Sequence, residues 1–300
     1  MTITVTGASG FIGRRLMKLL AANGHSLHVL SRHAGTNLPP NVRLSVWDAA
    51  AGPPPEAALR GTDAVIHLAG EPVAQRWTAD VRRRIRESRV QGTRNLVEAL
   101  GNMAELPRVL VCASAIGYYG SRGDEVLTEA SAPGSGVLPE ICVAWEHEAV
   151  AAEYLGLRVV RVRIGIVLAS HGGALARMLP PFRMGVGGRL GNGKQWMSWI
   201  HLDDLCELLR FAVEQPVRGA MNAVAPYPVT NSEFTKTLAA ALKRPALFPV
   251  PPFALRLMFG EMADVLLASQ RVSPKGAEDA GFRPRYPQLA GALADLLSKP

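Results

Sequence analysis

The chain opens on TITVT, Thr2 to Thr6, and passes through GASG directly into FIGRRLMKLLAANG. A strand that becomes a helix within four residues constrains the fold strongly, because the turn between them needs positive φ, which glycine adopts freely. Gly7, Gly10 and Gly13 stand at that junction. The same rhythm continues downstream through SLHVL, VRLSVW, DAVIHLA, a long Arg-rich helical pattern, RVLVCAS, a helix from about 138 to 155, and LRVVRVRIGIVL. Alternation of this kind predicts an α/β fold, a Rossmann-type doubly wound parallel sheet with helices on both faces. β-Branched, nearly continuous strands such as TITVT and VLVC fit a sheet covered on both sides, and AGPPPE punctuates the pattern where proline cannot join a ladder.

After about residue 170 the style changes. Gly, Pro, Met and Trp crowd HGGALARMLPPFRMGVGGRLGNGKQWMSW, and the alternation stops. The expected organisation is a nucleotide-binding domain over 1–170, with 199–225 packing back on it. Residues 171–198 and 226–300 then form a smaller, mostly helical substrate-side region. DDLCELLRFAVE reads as a helix capped by Asp203.

Composition narrows the class. At 300 residues, 48% hydrophobic and 19% charged, the chain reads as an ordinary globular protein. MTITVTGASG lacks a basic stretch followed by an apolar core and cleavage site, and no apolar run approaches the roughly 18 residues of a membrane helix. A cytoplasmic location without membrane association is expected. Cys112, Cys142 and Cys206 are far apart and show no C-x-x-C spacing, so they read as reduced thiols rather than metal ligands. The net charge of +8 lacks the interleaved aromatics of a nucleic-acid binder, and an anionic cofactor or substrate is the better use for part of it. Arg82, Arg83, Arg84, Arg86 and Arg89 fall in a segment of helical apolar spacing and read as its solvated face.

The glycine loop carries the first chemistry. G-x-x-G-x-x-G between strand and helix lets backbone N–H groups approach a pyrophosphate that a Cβ would keep away. A dinucleotide with a free ribose 2′-hydroxyl would want Asp or Glu just after the second strand, whereas SLHVL runs into Ser31 and Arg32. Arg32 can meet a 2′-phosphate, which favours NADP(H) over NAD; the alternative is an arginine decorating a turn.

HLAGEP (67–72), SRVQGTRNLVEAL (88–100), SAIGYYG (114–120) and WIHLDDL (199–205) together resemble the extended short-chain dehydrogenase/reductase superfamily. More narrowly, HLAGEPV, SAIGYYG, the WE of CVAWEHEA, LPPFRMGVGGRLGNGKQWMSWIHLDDL and NAVAPYPVTNSEF resemble its atypical branch, the epimerase-family SDR39U1-like proteins. That branch ends in a short helical domain of unassigned function, which the segment from about Val250 to Leu297 resembles. The resemblance implies that Gly7, Ser9, Gly10, Phe11, Ile12 and Gly13 hold the pyrophosphate and Arg32 the 2′-phosphate. It also implies Asp48 by the adenine, Leu68, Ala69 and Gly70 along the ribose, and Ala113 and Ser114 near the nicotinamide. The Arg-rich helix resembles one that builds dimers in the wider superfamily, so a homodimer is an expectation.

Ordinary members of that superfamily move a proton with a Ser or Thr, a Tyr and a Lys four residues after it, the lysine lowering the phenol's pKa. Here the family's Ser position falls on Ala115, with Ser114 one residue early; Cys142 takes the Tyr position and Glu146 the Lys position. The usual mechanism is therefore not expected. Tyr118 or Tyr119 can replace it as acid, or both can pack as loop hydrophobes. Glu146 can be a general base or a structural acceptor. Glu71 can contact a ribose or substrate hydroxyl. His201 reads as a core histidine rather than a catalyst, and with Asp203 and Asp204 it lacks a convergent third metal ligand. Arg189, Lys194 and Trp196 in GGRLGNGKQW can close over an anionic or planar substrate, or can simply cover the core. Two functions stay open. One is an NADP(H)-dependent oxidoreductase or epimerase-like enzyme acting on a small molecule, with Tyr119, Glu146 and Ser114 as candidate catalytic groups. The other is a non-catalytic NADP(H)-binding regulator or scaffold, which the resemblance links to cell or organelle division.

Overall fold

A computed structural model describes residues 1–33, 38 and 42–298. In chain order its first half runs β1 Thr2–Thr6, α1 Phe11–Ala22, β2 Ser26–Ser31, β3 Arg43–Val46, β4 Ala64–His67, α2 Ala79–Gly101, β5 Val109–Ala115, β6 Val126–Leu127, α3 Val137–Val150 and β7 Arg158–Ile164. The second half runs β8 Ile166–Ala169, α4 Gly173–Arg183, β9 Trp196–Met197, β10 Trp199–His201, α5 Leu202–Glu214 and β11 Gly219–Ala223. It ends with β12 Val229–Thr230, α6 Asn231–Leu242, α7 Pro252–Phe259, α8 Met262–Leu267, β13 Arg271–Val272, α9 Lys275–Asp279 and α10 Leu289–Ser298.

Among the described residues, seven strands form one sheet in the order β11-β7-β5-β4-β1-β2-β3, every neighbour parallel. The sheet is Rossmann-type, and its central strands β1, β4 and β5 are buried on both faces. Ile3, Val5 and Val111 face a core shared with Leu16, Met17 and Leu20 of α1 and Leu205 and Leu209 of α5. Val65 and Leu110 face the other core with Leu96 of α2 and Trp145 and Ala149 of α3. Each fully buried leucine contributes about 1.5–3 kcal/mol relative to exposure.

The later part of the chain is stitched to the sheet. β13 pairs in parallel with β6, α10 packs on α6, and a reciprocal capping box of Thr230 and Glu233 starts α6. The cap of α5 corrects the sequence reading: His201, not Asp203, holds the N-cap, its Nδ1 accepting from the Asp203 N–H at 3.0 Å. Asp203 sits within the first turn, where a carboxylate complements the helix dipole, and accepts from Arg15 Nε at 2.7 Å. Asp204 accepts from the backbone N–H groups of Arg285 and Tyr286 at 2.8 and 2.9 Å, tying the C-terminal segment to α5.

The Arg-rich segment is also only partly as read. Arg83 and Arg84 pair with Asp80, and Arg82 with Glu261, on the outer face of α2. Arg89 instead turns inward. It follows buried Ile85 by four residues, one turn on along the same face, and its guanidinium lies against the indole of Trp145 on α3, 5.1 Å from ring centroid to Cζ. No helix among the described residues is long and apolar enough to cross a membrane, and no group of three or more His, Cys, Asp or Glu among them could hold a metal ion.

Candidate functional site

The strand order reverses between β1 and β4, which opens a crevice at the carboxyl ends of the two strands. Gly7, at φ 70°, lies against its far wall: a Cβ there would stand 2.7 Å from the carbonyl carbon of Leu68. A Cβ on Gly13 would stand 2.4 Å from the Gly7 oxygen. Gly10 is the N-cap of α1 and offers no side chain, and the first turn carries no acid. The first-turn N–H groups of α1 thus have no capping side chain, and the dipole's positive end faces the crevice. This cradle fits a pyrophosphate.

The other loop residues divide by what they offer. Ser9 and Gly10 are exposed. Phe11 turns its ring against Gly172 and Gly173 and edge-on to His171, and Ile12 packs into the core, so both would present backbone alone. Arg32 follows directly on β2 and is exposed. Asp48 follows β3 on the neighbouring strand end, the two strands remaining joined there by Trp47 N–H donating to Ser31 O at 2.8 Å. Its carboxylate accepts from Ala50 N–H at 3.1 Å and is otherwise exposed.

Leu68, Ala69 and Gly70 form the opposite lip, and a buried relay fixes them. The Thr6 hydroxyl oxygen accepts from the Leu68 and Ala69 N–H groups, both at 3.1 Å. Its one proton therefore goes to His67 Nδ1 at 2.7 Å, which leaves Nε2–H to donate to Thr93 at 3.1 Å. Burial pushes the imidazole down to about 4, with the Arg89 charge adding to it, so this histidine is neutral at pH 7. Glu71 comes next. Its carboxylate accepts from Gln75 at 3.1 Å and lies 3.7 Å from Arg84, while its carbonyl accepts from Arg89.

Ser114, Glu146 and Tyr119 do meet, in one buried network around an arginine the sequence reading passed over. Arg163 on β7 is the cross-strand partner of Ser114 on β5. Its Nε donates to Glu146 Oε1 at 2.8 Å and its Nη2 to Glu146 Oε2 at 2.9 Å, a side-on fork between two side chains 3% and 5% exposed. Ser114 Oγ donates to the same Oε1 at 2.7 Å, and Arg161 reaches Oε2 at 3.3 Å. Burial alone would lower the pKa of Arg163, but Glu146 outweighs it and the result is raised. Arg163 Nη1 donates to the Tyr119 hydroxyl at 2.9 Å, and that hydroxyl donates to Asn222 Oδ1 at 2.7 Å. Burial raises the Tyr119 phenol. The guanidinium of Arg163 also lies 3.5 Å from the ring centroid of Tyr118.

Cys142, at the position where a tyrosine would sit, is 1% exposed, and burial pushes its thiol up to about 12 against the pull of Arg89. Trp196 is held by its Nε1–H to Asp124 at 2.7 Å, under the guanidinium of Arg271. Arg189 and Lys194 are exposed. A signal for Arg163 existed: two arginines at i and i+2 in a strand of RVVRVRI point to one face of a buried sheet, and need an acid there.

Three comparisons bear on this geometry. The profile of the NAD dependent epimerase/dehydratase family matches residues 3–224, and that of a domain of unknown function (DUF1731) matches residues 250–296. The chain is similar to the epimerase family protein SDR39U1 homolog, chloroplastic, of Arabidopsis thaliana, at 41% identity over 99% of this chain and 87% of the relative. It is 37% identical to the epimerase family protein YfhF of Bacillus subtilis, over 99% of this chain and 98% of the relative. Among solved structures it is similar to human epimerase family protein SDR39U1, isoform 2, crystallised with NADPH: TM-score 0.89, 34% identity and full coverage of both chains. With a glycine-cradled helix end at the strand reversal and a family match over most of its length, the chain belongs to the NAD dependent epimerase/dehydratase family, in its SDR39U1-like branch.

Proposed function

We propose that the chain is an NADP(H)-dependent oxidoreductase or epimerase-like enzyme that works on a small molecule without a Tyr-x-x-x-Lys pair. The cofactor half of the reading is carried by one observation. The uncapped end of α1, cradled by Gly7, Gly10 and Gly13, opens beside an exposed Arg32 where a 2′-hydroxyl reader would have an acid. Ser9 to Gly13 would hold the pyrophosphate through backbone N–H groups, Arg32 the 2′-phosphate, Asp48 the adenine side, and Leu68 to Glu71 the ribose. The human relative crystallised with NADPH supports the same choice.

When bound, the nicotinamide would supply or accept hydride. The proton falls to the protein. Ser114 donates to Glu146, so its oxygen keeps lone pairs that can accept from a substrate alcohol. In oxidation the alcohol's proton passes to Ser114 Oγ as the Ser114 proton passes to Glu146 Oε1; reduction reverses both transfers. Arg163 holds the carboxylate in place, and Tyr119 holds Arg163 as a positioning residue.

A second reading, a non-catalytic NADP(H)-binding regulator, is favoured by the saturation of this network: Ser114, Glu146 and Tyr119 all have protein partners, and Cys142 is sealed. Titration with NADPH and NADH by fluorescence, then NADPH oxidation with aldehydes and ketones and epimer analysis of nucleotide sugars, separates the two. The enzyme reading expects NADPH preference that Arg32→Ala removes, and turnover that Ser114→Ala abolishes. Equal binding of NADH would sink the cofactor assignment, and tight NADPH binding with no redox or epimer turnover would favour the regulator.

A further inference from the structure

The glycine-rich loop that carries Arg189 forms one side of a cavity of about 360 Å³, which lies where α6 faces the segment that follows it. Ser232, Thr235 and Lys236 line the cavity from one face of α6, at spacings of three and four residues, and Arg189 lines it from the loop. Leu247 and Pro249 give it an apolar side. None of these residues belongs to the cofactor crevice. The loop and the apolar side are pinned together: Val250 N–H donates to Arg189 O at 2.8 Å, and Gly191 N–H to Val250 O at 2.9 Å. A Cβ on Gly193 would strike Ser232 Oγ and stand 3.1 Å from Arg189 Cδ, so the serine hydroxyl and the arginine stem converge there.

The polar groups of this cavity want an acceptor. No Asp or Glu lines it, and neither Arg189 nor Lys236 has an ion-pair partner among the described residues. Glu233, the adjacent acid, has its carboxylate in the α6 capping box, accepting from the Thr230 N–H at 2.7 Å and the Thr230 hydroxyl at 2.9 Å. Those two bonds hold it below its ordinary range, and the Lys236 charge adds to them from a distance. Thr235 is 4% exposed, yet its hydroxyl has no partner. Two residues on, Thr237 shows the ordinary arrangement, donating to the carbonyl four residues back, Glu233 O, at 2.8 Å. Two exposed cations are unremarkable on a surface. Two that share a cavity with a buried, unmet hydroxyl ask for an anion with several oxygens.

We propose that this cavity is a second ligand site, separate from the cofactor crevice, and that it binds a phosphate monoester. The terminal oxygens accept from Arg189, from Lys236 and from the wall hydroxyls of Ser232 and Thr235, while the carbon body of the ester lies against Leu247 and Pro249. A monoester carries about −2 at pH 7.5, which balances two cations. A carboxylate brings one charge and two oxygens, too few for the donors present. The volume falls at the small end of ligand pockets and suits a body the size of a sugar or a single aromatic ring. Bound there, the ester cross-links α6 to the glycine-rich loop.

The test uses the full chain saturated with NADPH, which fills the crevice, and titrated calorimetrically with glucose 6-phosphate, phenyl phosphate, glucose and inorganic phosphate. One equivalent of each ester should bind saturably and glucose should not; the tighter ester tells whether the body is a sugar or a ring. Inorganic phosphate, which cannot use the apolar side, should bind at least ~5-fold more weakly than the tighter ester. Arg189→Gln and Lys236→Gln should each weaken the esters ~10-fold or more, while Arg244→Gln, a neighbouring exposed cation outside the cavity, should change them less than ~2-fold. NADPH affinity should stay within ~2-fold in all three variants, which also reports that they fold. No saturable binding of either ester, unchanged binding in Arg189→Gln or Lys236→Gln, or an equal loss in Arg244→Gln would overturn the proposal. So would inorganic phosphate binding as tightly as both esters, or ester binding that NADPH abolishes, which would place the esters in the crevice. If the wild-type chain binds no NADPH, the cofactor reading fails by itself, and the same titrations without cofactor still decide the cavity.

Discussion

Replacing Glu146 with glutamine tests the central network most directly. The substitution keeps the shape of the side chain and one acceptor oxygen for Arg163 or Ser114, but it removes the one carboxylate that Arg163 and Arg161 contact among the described residues. Two guanidinium groups, at 3% and 22% side-chain exposure, would then share a pocket without a counter-charge. Breaking a buried pair from one side costs about 3–5 kcal/mol, a large share of the roughly 5–15 kcal/mol that holds a typical protein folded. For a chain of this size each kcal/mol lowers Tm by about 2 °C, so a fall of roughly 6–10 °C is expected. Urea unfolding at pH 7.5 gives the free energy, and a cycle with Arg163→Met and the double variant isolates the pair. The double variant should recover part of the loss, with a coupling of about 1–3 kcal/mol. A cost for Glu146→Gln below about 1 kcal/mol, or a coupling near zero, would refute the view that this carboxylate is held by charge.

Gly13→Ala would put a Cβ against backbone atoms at 2.4 and 2.6 Å, which cannot yield, so NADPH affinity should fall ~10-fold or more with about 1–3 kcal/mol of stability; affinity within twofold of wild type would count against the cradle. His67 supplies a pH dependence. Its ordinary value of 6.5 drops to about 4 on folding, so below pH 6.5 the unfolded chain takes up a proton that the folded one refuses. Stability should therefore fall by about 3 kcal/mol as pH drops from 6.5 to 4, and His67→Asn should flatten that part of the urea-midpoint profile. Thr230→Ala removes one arm of the α6 capping box and should cost about 1 kcal/mol in urea unfolding, while Thr230→Ser should cost much less.

Much of the architecture was legible because it rests on local rules. Strand runs of β-branched residues, a glycine turn and helical spacing are each decided within a few residues, and the parallel sheet follows from their alternation. Side-chain direction was less legible. Arg83 and Arg89 look alike in an arginine-rich helix, but Arg89 falls one turn after buried Ile85 and meets the indole that α3 brings alongside, which separates the inward residue from the surface one. Glu146 at a lysine position reads as a loss until Arg163 arrives from a strand 17 residues on. The cap of α5 was misassigned because aspartate is the commoner capping residue, whereas His201 reaches the same N–H with an imidazole nitrogen.

The pairing of β13 with β6 also sets an order of events during synthesis. Residues 219–223 complete the sheet, so the glycine cradle and its strand reversal can form as soon as that length of chain is free. The Tyr119–Asn222 end of the network cannot settle then. Asn222 Nδ2 donates to Ser273 O at 2.9 Å, and Ser269 N–H reaches back 148 residues to Ser121 Oγ. Closing so long a loop costs entropy before it returns any contact, which makes such steps slow and late. A nascent chain would therefore be able to form the glycine cradle before it has finished the Tyr119–Asn222 end of the buried network.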